Sequence, residues 1–242
     1  MLKKIITADN TETFLNEQVQ ETYHSQTGAV EEALKKYAIP CKIRELARKI
    51  KESNIKEDNV KDTTSKESNG ATTKITILDV CSGLGYNSAM AISEALEEYP
   101  QCPIDVICLE FDPQIIQKIQ EVNPPISFFK HYKRLTPKNL SFKEGNVSVN
   151  VILGDARETS KQLPENNFDA IFFDPFSPKT SPEMWQQAFF KEMFRVLKPE
   201  GILATFSCAR MVRENMAASG LMYDDGPIVG RRGPGTIATK WL

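Results

Sequence analysis

The sequence predicts an α/β protein, with a mostly parallel, seven-stranded sheet covered by helices on both faces and an antiparallel hairpin at its C-terminal end. Three observations predict it. From residue 74 onward, short apolar runs alternate with stretches of helical periodicity. The runs are continuously apolar rather than alternating, as in parallel strands buried on both faces. The last two runs, 220–224 and 236–241, have no helix between them, so they should pair antiparallel.

Residues 1–50 read as a mostly helical extension. From Gly28 to Ile50, Ala, Leu, Tyr and Ile recur at helical spacing, with a break at Pro40. Residues 51–74 hold no aromatic and almost no apolar side chain, so they cannot bury enough surface to offset their ordering entropy, and they read as a flexible linker or surface insertion. The core is expected over 75–242. It opens with the strand ITILDV (75–80), followed by a helix from Asn87 to Glu98. PIDVICLEF (103–111) is the second strand, and Pro113 suits the first turn of the next helix. Residues 123–146 read as irregular and rich in Lys and Arg. The third strand is VSVNVILGD (147–155), the fourth FDAIFFD (168–174) and the fifth GILATFS (201–207). Helices fill 182–197 and 209–218.

The 242 residues suit one well-buried domain plus decoration. A net charge of -2 argues against a protein whose whole surface binds nucleic acid, but leaves room for a local basic patch. Five cysteines with no CxxC pair suit neither a disulfide framework nor a zinc site, and two histidines are too few for a His-based centre, so no metal is expected. No apolar run is long enough to span a bilayer, and the first residues lack the apolar segment of a secretion signal. The expected setting is cytoplasmic, away from membranes.

In a doubly wound sheet, ligands sit beyond the carboxyl ends of the strands. After the first strand comes the loop Asp79-Val-Cys-Ser-Gly83-Leu-Gly85-Tyr-Asn87. Its glycines permit a tight turn close to a ligand, and the next helix N-terminus favours an anion. After the second strand, Glu110 can accept hydrogen bonds from both hydroxyls of a ribose, while Asp112, just before Pro113, is the better helix cap. After the third, Asp155-Ala156 can meet the exocyclic amine of a base, with a plain N-cap as the rival role for Asp155. After the fourth comes Asp174-Pro175-Phe176-Ser177-Pro178. A carboxylate at the centre of the binding edge can orient an amine and accept its proton, and Phe176 can wall a flat substrate. The strand count and terminal hairpin are those expected of a class I methyltransferase using S-adenosyl-L-methionine (SAM).

Residues 174–220 resemble the methyltransferase half of the bifunctional tRNA 5-methylaminomethyl-2-thiouridine biosynthesis family, MnmC. The resemblance rests on Asp174, Phe176, Pro178, Pro182, Met184, Trp185 and Thr205-Phe206. Tyr23-His24-Ser25, with Gly28 and Glu31, resembles the family's substrate-side element. Gly83, Gly85, Asn87, Glu110 and Asp155 fall on its cofactor positions. Pro175 replaces the family's glycine, and its loop lysine is displaced by one, to Lys179. The flavin-dependent half has no counterpart in these residues. The resemblance therefore implies methyl transfer alone, without flavin, to the 5-aminomethyl group of the wobble uridine in the anticodon region of tRNA. Asp174 would be catalytic, and Tyr23, His24, Phe176, Pro178 and Lys179 would contact substrate. Two basic groups can hold phosphates: Lys130, His131, Lys133, Arg134, Lys138 and Lys143, and Arg210, Arg213, Arg231 and Arg232. The rival readings are a SAM-dependent methyltransferase of a small-molecule or protein amine, an aminopropyltransferase, an NAD-dependent oxidoreductase and a catalytically silent RNA-binding module.

Overall fold

The computed structural model describes residues 1–60, 73–230 and 233–240. The chain opens on three short strands, β1 (Leu2–Ile6), β2 (Glu12–Asn16) and β3 (Glu21–Thr22), which form an antiparallel meander. This corrects the mostly helical reading of residues 1–50. The strands are too short for a clear two-residue period, and Phe14 is their one deeply buried aromatic, so pairing and packing on the core decide their state. Helix α1 (Ala29–Glu32) follows and widens into π turns over Ala33–Ala38. The chain breaks near Pro40, with Lys42 at φ 54°, before α2 (Ile43–Val60).

Helix α2 corrects the linker reading as far as residue 60, while residues 61–72 lie outside the described residues. Lys and Glu are good helix formers, and α2 is anchored at its start by buried Ala47 and Ile50 and by Arg44 and Arg48 paired with Glu94 and Glu98. Further along, Asn54 bonds to the Tyr99 hydroxyl at 3.2 Å.

The core then follows the expected alternation. It runs through β4 (Ile75–Val80), α3 (Tyr86–Glu98), β5 (Ile104–Glu110), α4 (Pro113–Lys118) and α5 (Phe129–Tyr132). Next come β6 (Ser141–Glu144), β7 (Val147–Leu153), α6 (Ala156–Thr159) and β8 (Phe168–Phe173). It closes with α7 (Gln187–Val196), β9 (Leu197–Thr205), α8 (Arg210–Ala217), β10 (Leu221–Asp225) and β11 (Thr236–Lys240). Strand order is β10-β11-β9-β8-β4-β5-β7-β6. Strands β4, β5, β7, β8 and β9 pair in parallel, and the β10–β11 hairpin is antiparallel as expected.

The sheet has eight strands rather than seven. The additional one, β6, pairs antiparallel with β7 inside the segment read as irregular. Its signal was the Gly145-Asn146 turn, with Gly145 at φ 55°, which lets the chain fold back at once into β7. Glu144 lies opposite Val147, the first residue of β7, and Arg134 bonds to Glu144 at 2.9 Å and to the Lys143 carbonyl. That part of the basic segment is therefore at the amino ends of the strands, away from the expected binding edge.

Both faces of the sheet are buried. Along β4, Ile75 and Ile77 join the core under α1, α2 and α3, while Leu78 and Val80 join the core under α7 and α8. Phe172 and Phe173 divide in the same way. Each such side chain stabilises the fold by about 1.5–3 kcal/mol through burial. The consequence for function is a rigid row of strand ends at β5, β4 and β8.

Candidate active site

A cavity of about 810 Å³ lies at the carboxyl ends of β4, β5, β7 and β8, and residues of the N-terminal meander close its other side. Asp174 directly follows β8 and borders the cavity. Its backbone N–H donates to the Val80 carbonyl at 3.1 Å. Its Oδ1 accepts the Tyr37 hydroxyl at 2.5 Å, and its Oδ2 accepts the Asn87 amide at 2.9 Å. Both oxygens are thus oriented, one by the helical cover and one by α3. Burial and the nearby Glu32 charge push the Asp174 carboxyl up to about 7, against the Tyr37 and Asn87 hydrogen bonds and the Lys36 charge.

The loop after Asp174 is fastened at both sides. The Trp185 indole donates to the Phe176 carbonyl at 2.8 Å. From the meander, the Glu21 carboxylate accepts the Ser177 N–H at 2.8 Å, the Thr180 hydroxyl at 2.5 Å and the Ser177 hydroxyl. Tyr23 meets Phe176 edge-on, with ring centroids 5.2 Å apart.

The loop after β4 is shaped by conformation. Cys81, Gly83 and Gly85 have φ of 61°, 54° and 77°. A Cβ on Gly85 would come within 2.6 Å of the Tyr132 ring, and one on Gly83 within 3.1 Å of Tyr23, so neither position has room for a side chain. The Gly83 N–H donates to Glu110 Oε2 at 2.8 Å, while Glu110 Oε1 accepts the Phe111 and Asp112 amides. Glu110 therefore locks the loops after β4 and β5 together, and burial raises its carboxyl. Asp112 caps α4 through the Gln114 N–H, as the sequence suggested.

The structure divides the residues singled out from the sequence. Glu110, Asp155, Ala156, Asp174, Tyr23, His24 and Phe176 border the cavity. Asp79, Gly83, Gly85 and Asn87 are buried near it without bordering it. Asn87 was read as a cofactor residue; its amide instead holds Asp174, because the first turn of α3 directs it across to β8. Neither Asp79 oxygen has a hydrogen-bond partner among the described residues, and Ser88 stands near without reaching hydrogen-bond geometry. Burial pushes the Asp79 carboxyl up to about 7. Asp155 does what its rival role foresaw. It caps α6 through the Arg157 N–H at 2.9 Å and pairs with the Arg157 guanidinium.

His24 is buried, stacks on Tyr86 at 4.6 Å and shares a 3.2 Å hydrogen bond with Thr13. Burial pushes it down to about 4, so it is neutral at physiological pH. Pro178 and the exposed Lys179 do not border the cavity, and Arg231 and Arg232 lie outside the described residues. Arg210 and Arg213 are paired with Glu214 and Asp225. Sequence reasoning missed Glu21, Glu32, Tyr37 and Phe111, and named Phe206 only as part of the resemblance. The sequence carried one usable signal among them, the aromatic Phe111 directly after Glu110; its ring is 74% exposed at the cavity edge.

A sheet of this order, with a glycine turn after β4, an acid closing β5 and an acid after β8, is the fold of class I SAM-dependent methyltransferases. Residues 125–241 match the family described as S-adenosyl-L-methionine-dependent methyltransferase. More particularly, the chain is similar to MnmC proteins. It is 29% identical over 166 residues, 64% of its length, to the tRNA 5-methylaminomethyl-2-thiouridine biosynthesis bifunctional protein MnmC of Leptospira interrogans. The crystal structure of MNMC2 from Aquifex aeolicus matches it with a TM-score of 0.81 and 28% identity, over 99% of this chain and 70% of that one. An uncharacterized protein of Methanocaldococcus jannaschii is 26% identical over 97% of this chain. The chain spans 58% of the archaeal protein and 26% of the bifunctional one.

The residues present fit the cofactor. Glu110 is a buried carboxylate that reaches the cavity beside an exposed aromatic ring, Phe111, and the adjacent turn leaves no space for side chains. No helix among the described residues is long and apolar enough to cross a membrane.

Proposed function

We propose that the chain methylates the amine of a 5-aminomethyl group on the wobble uridine of tRNA, giving 5-methylaminomethyl(-2-thio)uridine. The observation that carries this reading is Asp174. It borders the cavity at the end of the central strand, both of its oxygens are fixed, and its carboxyl titrates near neutrality. SAM, when bound, supplies an electrophilic methyl group that needs no further activation. The residues that would hold it are Glu110 and Phe111 at the nucleoside, Ala156 at the base, and the 79–87 loop at the methionine portion.

What remains for the protein is to deliver a nucleophile. An alkylammonium has no lone pair to attack with. Ionised Asp174 orients it and accepts its proton, a role worth about 10²–10⁴-fold in rate. Fixing both Asp174 oxygens holds the nitrogen in one direction, which is the positional part of catalysis. Phe176 and Tyr23 provide flat apolar walls on which a pyrimidine can lie. The MnmC resemblance supplies the identity of the base.

The test is incubation with radiolabelled SAM and tRNA from cells lacking the last methylation step, followed by digestion and nucleoside identification. Label in 5-methylaminomethyl uridine is expected. SAM binding without labelled RNA would move the substrate to another amine.

A further inference from the structure

The cavity is lined by acids far in excess of cations. Glu21, Glu32, Glu110, Asp112, Asp155, Asp174 and Glu183 border it, against one charged side-chain cation among the described residues, Arg157. Arg157 is committed to Asp155. Most of the acids are committed too: Glu21 to the 177–180 loop, Glu110 to three backbone amides, Asp112 to its helix cap.

Glu32 is different. It is 4% exposed, comes from the helical cover, and faces the cavity on the same side as Thr22–Ser25. Its Oε2 accepts the Ser25 N–H at 2.7 Å, and its Oε1 pairs with Lys36 at 2.6 Å; the Lys36 side chain is 1% exposed. The π turns explain this grouping. An i→i+5 repeat brings residues five apart onto one face, so Glu32 and Tyr37 both point to Asp174, with Lys36 beside them. The ionisable groups around Asp174 are then Glu32, Lys36, Tyr37, Asp79 and Cys81, with His24 beside Glu32. His24 carries no charge near neutrality and burial keeps the Cys81 thiol protonated, while at Asp174 the Glu32 charge outweighs that of Lys36. With Asp174 ionised, this wall holds one uncompensated negative charge in a poorly solvated place, which favours a bound cation.

We propose that Glu32 is a specificity-determining residue which, with Asp174, forms a two-carboxylate recess selecting a substrate that carries an alkylammonium over one carrying a neutral group of the same shape. Lys36 fixes the Glu32 carboxylate in place. The proposal rests on the amine reading of the site and assigns the second recognition group to the cover. Glu110 and Asp155 belong to the strand-end side, so the recess serves the substrate rather than the cofactor.

The test compares binding of two anticodon stem-loops, one with 5-aminomethyluridine and one with 5-hydroxymethyluridine at the wobble position. It uses the wild type, E32Q, and the double variant E32Q/K36M, which removes both charges at nearly constant shape. Thermal unfolding and SAM affinity serve as controls for folding. The wild type is expected to prefer the aminomethyl loop by about tenfold or more, and the double variant to lose most of that preference while keeping its SAM affinity; about tenfold corresponds to 1.4 kcal/mol. A double variant that folds and keeps the full preference overturns the proposal and leaves the methyltransferase reading standing. A double variant whose SAM affinity falls as far as its preference for the amine also overturns it, because Glu32 would then serve the cofactor. A wild type with no preference overturns both the recess and the amine reading.

Discussion

The wall of the cavity built by the strand ends and the wall built by residues 1–38 are held in different ways. Glu110, Asp155 and Asp174 follow directly from parallel strands whose neighbours fix them through continuous ladders and two hydrophobic cores. Their directions are backbone properties. The cover has short strands, with β1 exposed or half-buried throughout; Phe14, Ala29, Ala33, Tyr37 and Ala38 pack into the core, and individual side-chain bonds fix it at the cavity. Glu21 grips the loop after β8, Tyr37 reaches Asp174, and the Tyr86 hydroxyl donates to the Glu12 carbonyl at 2.7 Å. One wall is pre-formed and the other is fastened on. On the proposed reading, the difference teaches that cofactor and substrate recognition can be separated by mutation, because the polar contacts that join the walls at the cavity are nameable.

The largest effect is expected at the junction itself. Asp174→Asn keeps shape but removes the proton acceptor, so turnover with tRNA should fall about 10²–10⁴-fold while SAM affinity, measured by calorimetry, stays within about twofold. Loss of SAM binding in that variant would mean that the walls cannot be separated.

Tyr37→Phe removes the cover's hold on Asp174. The Tyr37 hydrogen bond lowers the Asp174 pKa, so its loss should raise it above about 7. Activity depends on the ionised form, so the rising limb of kcat/KM against pH should move to higher pH. Near pH 7 the rate should drop about tenfold, with part of the loss regained by pH 9. An unmoved limb would show that Tyr37 serves packing alone.

Glu21→Ala loosens the cover without touching the strand ends. KM for tRNA should rise about three- to tenfold with kcat within about twofold, as expected when a few charge-assisted hydrogen bonds are lost. Amide exchange over residues 1–25 should quicken while β4 and β8 stay protected. Equal exchange in both regions would break the comparison.

The smallest effect belongs to the interior of the pre-formed wall. Asp79 has a folded-state pKa of about 7 against an ordinary 3.8. Between those values the folded protein holds the proton more tightly than the unfolded chain, so this stabilisation is present at low pH and lost as pH rises to about 7. Asp79→Asn should flatten that decline. Its Tm should exceed the wild type's at pH 8 by a few degrees, at about 2–4 °C for each kcal/mol, and the gain should shrink by pH 5.

The two walls also differ in how far they can be read without a structure. Glu110 and Asp174 are legible because a continuous apolar run announces each strand and the polar residue at its end must stand at the binding edge. Asp112 and Asp155 are legible as caps because capping is local. The Gly145-Asn146 turn carried a hairpin signal that the basic composition around it obscured. Glu21, Glu32 and Tyr37 had no such signal. Their meaning comes from partners 156, 142 and 137 residues away, respectively Ser177, Asp174 and again Asp174. The helical expectation holds from Ala29 to Ile50, interrupted near Pro40, and fails before Ala29, since five-residue strands have no period strong enough to outweigh their context.

The sequence by itself determined the parallel sheet, its terminal hairpin and the acids at its carboxyl edge. Strand burial, helix periodicity and capping are short-range constraints written residue by residue. Only the tertiary structure decided that Asn87 serves Asp174, that the first 38 residues form the cavity's second wall, and that a buried Glu32–Lys36 pair faces it. These depend on which distant surfaces meet, and burial on meeting is what turns an ordinary acid, tyrosine or lysine into a group with a defined direction and proton affinity.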